Sequence, residues 1–292
     1  MVERVDYYPT GKFLQVRGNP IITHEITGEK FVAVSYEGDG LSLSVTTLDD
    51  KEGQIIPNNN QAIIPGVLQY KHLRYGFDGD RVLITLFSDR PLESLIVVVH
   101  LDDDIRAQQY QGPNFLSDPL GTDGDIIYLS HKITGESVIT GFNLITGNTE
   151  SQYIARDSTT YGTLGRMYTG LPVAALLGVQ LPDGARVTRF ITMPNGEPVL
   201  DIEGNMEILL PRENGVFYTT TNGDDYFCTY DGKQYRINFA ANEQNIPPQQ
   251  STIHAVSDNG DSIWVRHMTP DRMWYFINYG RRLYHKSAPK AF

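Results

Sequence analysis

Three histidines occupy comparable places in well-separated segments: His24 in IITHEI, His72 in YKHLRYG and His254 in STIHAV. Neutral imidazole ligates zinc and other transition metals, so three such rings meeting at one point would hold an ion. Each precedes a turn glycine, but by 4, 7 and 6 residues. That irregularity argues against a single ligating layer and for three separately packed rings. Acidic runs at Asp49-Asp50, Asp102-Asp103-Asp104 and Asp224-Asp225 offer oxygen ligands of the kind calcium takes. The D-x-[DN]-x-[DN]-G spacing of a calcium loop is absent, and acidic turns are ordinarily just solvated.

His131 and His267, with Arg90 and Arg266 near equivalent places, would give either a mixed-charge binding face or plain turn solvation. Cys228 is the only cysteine, so an internal disulfide is impossible. In DDYFCTYDG it reads as a packed strand thiol rather than a nucleophile. No G-x-S-x-G elbow, phosphate-binding glycine loop, G-x-G-x-x-G or C-x-x-C occurs. Nothing among the 35 acidic residues singles out a pair for glycoside hydrolysis. The sequence therefore assigns no catalytic, cofactor-binding or metal-binding residue, and no cofactor. Aromatic clusters at 216–230 and 272–286 fit packing between strands for about half their members. The rest stay open as interface anchors or sugar-stacking rings.

Composition narrows the partners. The 292 residues carry 35 acids against 24 bases, a net charge of −11. A general nucleic-acid binder needs the opposite surplus. The longest apolar runs, 95–101 and 173–179, are far too short to span a bilayer, and the first residues hold no apolar stretch of the secretory kind. The expected setting is reducing, cytoplasmic or inside a virion, without nucleic acid or membrane.

What must position these groups is a repeat. A small polar or acidic residue followed by glycine stands before an apolar run at Gly28, Gly79, Gly124, Gly170, Gly215 and Gly260, separated by 51, 45, 46, 45 and 45 residues. Such dipeptides supply the positive φ of tight hairpins. Second turns fall near Asp39, Asp89, Thr134, Asp183, Asn222 and Pro270. Third turns fall near Asp49, Asp103, Thr146, Asn195, Asp231 and Tyr279. Three turns per period give four antiparallel strands. Second and third strands such as RVLITLF and ESLIVVVHL are apolar on both faces, whereas fourth strands such as DIRAQQY, NTESQYI, KQYRINF and RLYHKS are polar. Four-stranded units of about 40–50 residues are the sign of β-propeller blades.

The expected fold is all-β: a six-bladed β-propeller over residues 20–292, preceded by an extension, 1–19. Residues 12–17 are expected to pair with the sixth blade or brace the first. Segments 57–66, 156–165 and 241–251 read as surface loops between blades.

SDNGDSIWVRHM and TDGDIIYLSHKITGESVITGFNLITGNTE resemble the blades of TolB-like propellers. That resemblance implies architecture only, since such blades serve hydrolases, lectins and assembly proteins alike. The sialidase box S-x-D-x-G-x-T-W is approached by VSDNGDSIW, but Val256 replaces its serine and Trp264 falls one place late. More distantly, the acidic, Tyr-rich all-β chain resembles propeller modules in the tails of short-tailed bacteriophages. The functional expectation is a non-enzymatic protein–protein interaction module within a larger assembly, such as a virion or phage tail. It would contact its partner through the three inter-blade loops and segments 1–11 and 286–292. The alternative is a glycan-binding or glycan-hydrolysing propeller, although no aromatic-plus-acid motif recurs in phase.

Overall fold

Thr134 and Gly135 adopt φ of 48° and 92°, the two positive values that a two-residue type I′ hairpin needs. They join strands Ile126–Ile133 and Glu136–Asn143, paired from Ile133↔Glu136 outward. Hairpins of this kind build the whole chain. The computed structural model describes residues 3–17, 23–27, 30–37, 40–48, 55–89, 91–102, 105–156, 158–160, 164–167, 169–204, 206–240, 251–257, 259–268 and 273–281. Among these residues the chain is nearly all strand. None of its helical turns is long and apolar enough to cross a membrane.

An N-terminal strand, β1 (Glu3–Arg17), precedes the meander β2–β5 (Thr23–Thr27, Lys30–Glu37, Gly40–Leu48, Ile55–Ile64). A second meander is β6–β9 (His72–Asp78, Arg81–Asp89, Leu92–His100, Arg106–Gln111). A third is β10–β13 (Asp118–Asp123, Ile126–Ile133, Glu136–Asn143, Thr149–Ala155). In the fourth sheet the short pieces β14 (Thr159–Thr160) and β15 (Gly165–Arg166) both pair with β16 (Pro172–Gln180), which continues into β17 (Arg186–Thr192) and β18 (Pro198–Glu203). The last sheet holds eight strands. One arm is β19–β22 (Met206–Arg212, Gly215–Thr220, Asp225–Thr229, Gln234–Phe239), the other is β23–β25 (Ser251–Val256, Ser262–Met268, Met273–Arg281), and β1 joins them.

Successive units bury apolar faces against each other. Val82, Ile84 and Leu86 of β7 pack on Val32 and Leu43 of the first sheet. Their neighbour Leu83 points the other way, onto Ile127, Leu129 and Phe142 of the third. On β11, Tyr128 turns in its turn towards Leu176 and Ile191. Val173 and Ala175 meet Val216 and Tyr218; Phe217 meets Ile253, Ile263 and Ile277; Trp264 and Phe276 meet Phe31 of β3. Side chains alternate between faces with period two, so a strand covered on both sides must be apolar throughout. This is why the second and third strands lack polar alternation.

The first strands lie unusually close together. A Cβ on Gly76 (β6) would sit 2.6 Å from the Pro119 carbonyl oxygen, one on Gly121 (β10) 2.7 Å from Leu164 Cβ, and one on Gly165 (β15) 2.4 Å from Pro211 Cβ. These glycines stand 45 and 44 residues apart, a second in-phase series beside the turn glycines. Polar latches follow the same spacing. The Asp78 carboxylate accepts from the Thr122 amide at 2.7 Å and its hydroxyl at 2.6 Å. Arg166 donates to Asp123 at 3.1 Å and to the Thr122 carbonyl, and Arg212 donates to the Val256 carbonyl at 2.7 Å.

Several expectations are corrected. Tyr279 and Gly280 do not form a turn; they lie within β25, opposite Ile263 and Ser262. The place beside β25 that RLYHKS was expected to fill belongs to β1, with Phe13 to Arg17 opposite Ile277 to Met273. Residues 282–287 lie outside the described residues. Segment 57–66 is not a loop, since Ile55–Ile64 is strand β5, paired with β4. Within 156–165, Thr159-Thr160 pairs with β16 and buried Leu164 donates its amide to the Leu120 carbonyl at 2.8 Å, so this connection wedges between sheets rather than looping free. Residues 241–250 lie outside the described residues.

Candidate binding cleft

His72 and His254 each pack against an aromatic ring. His72 stacks on Phe87 with ring centroids 6.2 Å apart, and His254 meets Phe276 edge-on at 4.9 Å. The His24 backbone pairs with Ala33; its side chain lies outside the description. Among the described residues, no three His, Cys, Asp or Glu side chains gather so as to hold a metal ion. Asp102 pairs with Arg106 at 3.6 Å and Asp224 with Arg236 at 2.5 Å, so each faces a cationic side chain. Asp49, Asp50, Asp103 and Asp104 lie outside the described residues.

His131 and His267 are buried, which removes them from both a binding face and turn solvation. The His131 ring stacks on Phe115 with centroids 3.9 Å apart, and its Nε2 lies 2.8 Å from the Thr140 hydroxyl. Burial lowers the pKa of both rings, favouring neutral imidazole. Arg266 lies 5.2 Å over the Trp274 ring, a cation–π contact, and Arg90 is outside the described residues. Cys228 packs with Val216 and Tyr218, where burial pushes its thiol up to about 11; a thiolate nucleophile needs the reverse. In the two aromatic clusters, Phe217, Tyr218, Phe276 and Tyr279 are core.

One carboxyl is perturbed. Burial, and secondarily the Asp224 charge, raises Asp225 to about 6, although it accepts a 2.6 Å hydrogen bond from Thr219. The raised value means that the folded state takes up a proton as pH falls through about 6 while the unfolded chain does not until about 4. Stability is therefore expected to rise by up to roughly 2–3 kcal/mol between pH 7 and pH 4 from this group alone. Asp225→Asn should raise the melting temperature at pH 7 and flatten that part of the profile. A variant melting lower than wild type at pH 7 contradicts this assignment.

A meander puts its second turn and its exit at one end of the sheet, and its first and third turns at the other. At the second-turn end, a cleft of about 560 Å³ opens between sheets three and four. One wall is the Thr134-Gly135 hairpin with Lys132 and Glu136 beside it. The floor is Ser158 and Thr159, held to sheet three by a hydrogen bond between Thr160 and Ser130 and to sheet four by β14. The far wall is Leu177, Gly178 and Arg186. There the register of β16 shifts between Leu176 and Val179, with Gly178 at φ 75°. The second strands β7 and β11 keep unbroken register, so this bulge, which turns the strand locally, sets the fourth sheet apart beside the cleft.

The charges here are uneven. The neighbouring Arg189 is committed bidentately to Asp201 at 2.8 and 2.7 Å. Lys132 donates to the Ser137 hydroxyl at 2.6 Å, and among the described residues neither Lys132 nor Arg186 has a carboxylate partner. The Ser158 hydroxyl is buried with no hydrogen-bond partner among them. Exposed apolar side chains crowd the same end of three adjacent sheets: Ile63 (54%), Leu92 (55%), Ile133 (44%) and Ile154 (48%). Sequence reading located the hairpin and the 156–165 segment. It missed Arg186, Gly178 and the bulge, because one register shift leaves no periodic signal.

No protein family matches the chain, and no curated protein matches it by sequence. Among solved structures it is similar to the Dos1 propeller (TM-score 0.44, 9% identity, covering 89% of this chain and 68% of that one). It is also similar to the β-propeller domain of the Trilobed protease from Pyrococcus furiosus, described as having an open velcro topology (0.48, 11%, 84% and 78%). A third is the Cps50 (Swd1) β-propeller domain of Myceliophteria thermophila (0.49, 10%, 89% and 84%).

Proposed function

We propose that this chain is a six-bladed β-propeller that serves as a non-enzymatic protein–protein interaction module. Six face-to-face apolar clusters follow one another around the chain, and the last links Trp264 and Phe276 back to Phe31 of the first sheet. The first strands support the same ring: β2 neighbours both β6 and β23, β6 neighbours β10, and β19 neighbours β15 and β23. The eight-stranded sheet then counts as two blades sharing β1.

The observation that carries the functional reading is the apolar series Ile63, Leu92, Ile133 and Ile154 at one end of three neighbouring sheets. Exposed apolar side chains gathered at one end of neighbouring sheets, beside polar groups, mark interaction surfaces. A larger assembly is the setting proposed, a virus particle being the specific form that the acidic, Tyr-rich chain resembles.

Replacing Leu92, Ile133 and Ile154 together with Asp should leave far-ultraviolet circular dichroism unchanged and release the protein from its assembly, read by native mass of material from its source. Wild-type protein that is monomeric and free of any particle at its source refutes the reading.

A further inference from the structure

We propose that the cleft between sheets three and four receives an acidic segment of a protein partner. The proposal rests on the interaction-module reading and names the chemistry of its partner. The first ground is charge. On a chain of net charge −11, this cleft presents Lys132 and Arg186 against the single carboxylate of Glu136 among its described lining. Arg189, the next cation along β17, is already neutralised by Asp201, so it does not compete for a ligand. A carboxylate between Lys132 and Arg186 would neutralise both walls and add the bidentate geometry that a guanidinium offers.

The second ground is construction. The hairpin wall is held by two positive φ values, and the opposite wall is displaced by the Gly178 bulge. Neither side need reorganise to admit a ligand, which limits the ordering cost of binding. The Ser158 hydroxyl, buried and without a partner among the described residues, is a spare donor at the floor. The volume, about 560 Å³, falls in the roughly 300–1,000 Å³ range of ligand clefts.

The test uses fluorescence anisotropy on the full chain with a short labelled peptide of alternating Glu and Leu, beside its Gln/Leu and Lys/Leu counterparts. The Glu/Leu peptide is expected to bind, to weaken with rising ionic strength, and to lose about tenfold or more in affinity to the Lys132→Glu/Arg186→Glu variant. Glu136→Gln should tighten binding. The neutral pair Lys132→Gln/Arg186→Gln, with an unchanged melting temperature, keeps the result readable if charge reversal disturbs folding. Equal binding of the Gln/Leu peptide, or affinity unmoved in both double variants, overturns the inference and leaves the module reading standing. Assembly lost on removing the apolar series, together with no effect of either double variant on peptide affinity, places the partner contact on the apolar rim and overturns the cleft's role.

Discussion

A chain lacking residues 1–18 is expected to lose cooperative folding, with a melting temperature lowered by tens of degrees or a product that aggregates. β1 is bonded on both sides. Glu3 to Tyr7 run parallel to β22, from Glu3↔Tyr235 to Tyr7↔Phe239. From Tyr7 onward the strand runs antiparallel to β25. It thus ties together two arms that are far apart in the chain, and Tyr7 sits at the crossing. Its ring is buried among Phe217, Ile237, Ile253 and Tyr279, and its hydroxyl donates to the Gly260 carbonyl at 2.6 Å. Burial pushes that phenol up to about 12, so it stays a donor at any physiological pH. Further along, Leu14 fills the cluster of Trp264 and Phe276.

Deletion opens both clusters to water and bares two strand edges. Losing the Tyr7 and Leu14 side chains alone would cost about 5–8 kcal/mol, using large-to-small values for buried residues, which rivals the whole stability of a typical domain. Tyr7→Phe isolates the latch and should cost about 1–2 kcal/mol by leaving a buried carbonyl without its donor. Thermal melts of the three proteins in one buffer decide the matter. A truncated chain that melts within a few degrees of full length means the arms hold without the strand.

Gly165→Val is expected to be nearly as damaging, although it adds only three carbons. The new Cβ would lie 2.4 Å from Pro211 Cβ and 2.5 Å from the Pro211 carbonyl oxygen. The obstacle is backbone and a proline ring, so no rotamer change relieves it. β15 and β19 would have to separate, and with them the sheets whose cluster includes Val173, Leu209 and Val216. Overpacking a core commonly costs about 1–3 kcal/mol; an immovable neighbour places this case at or above the upper figure. The control is Gly124→Ala, where nothing lies within 4 Å of the added carbon and only the φ of 59° is strained. Denaturant midpoints for both variants test the comparison. If Gly165→Val loses no more than Gly124→Ala, the close approach of the first strands contributes little.

Both expectations concern the seam between units, and there sequence and structure divide the information. The sequence by itself determined the hairpins. Thr134-Gly135, Asp183-Gly184 and Asn222-Gly223 are local conformational constraints that need no distant partner. It also determined that the strands between them are covered on both faces, because RVLITLF allows no wet side. Local chemistry misled where a strand outlasted its turn residues. Tyr279-Gly280 has turn composition but pairs along its length with β24, and Asn60 and Gln61 pair with Val45 and Ser44 of β4, because ladder hydrogen bonds outweigh weak residue preferences.

Only the tertiary structure decided which strand lies beside β25. Any polar strand could satisfy that edge, and β1, about 260 residues away in the chain, holds it through Tyr7 and Leu14. The cleft is likewise tertiary. Lys132, Ser158 and Arg186 belong to different elements, and they meet only because sheet four packs beside sheet three, with a bulge at Gly178 on the far wall. Side-chain alternation specifies which face a residue takes, but not which neighbour that face will meet.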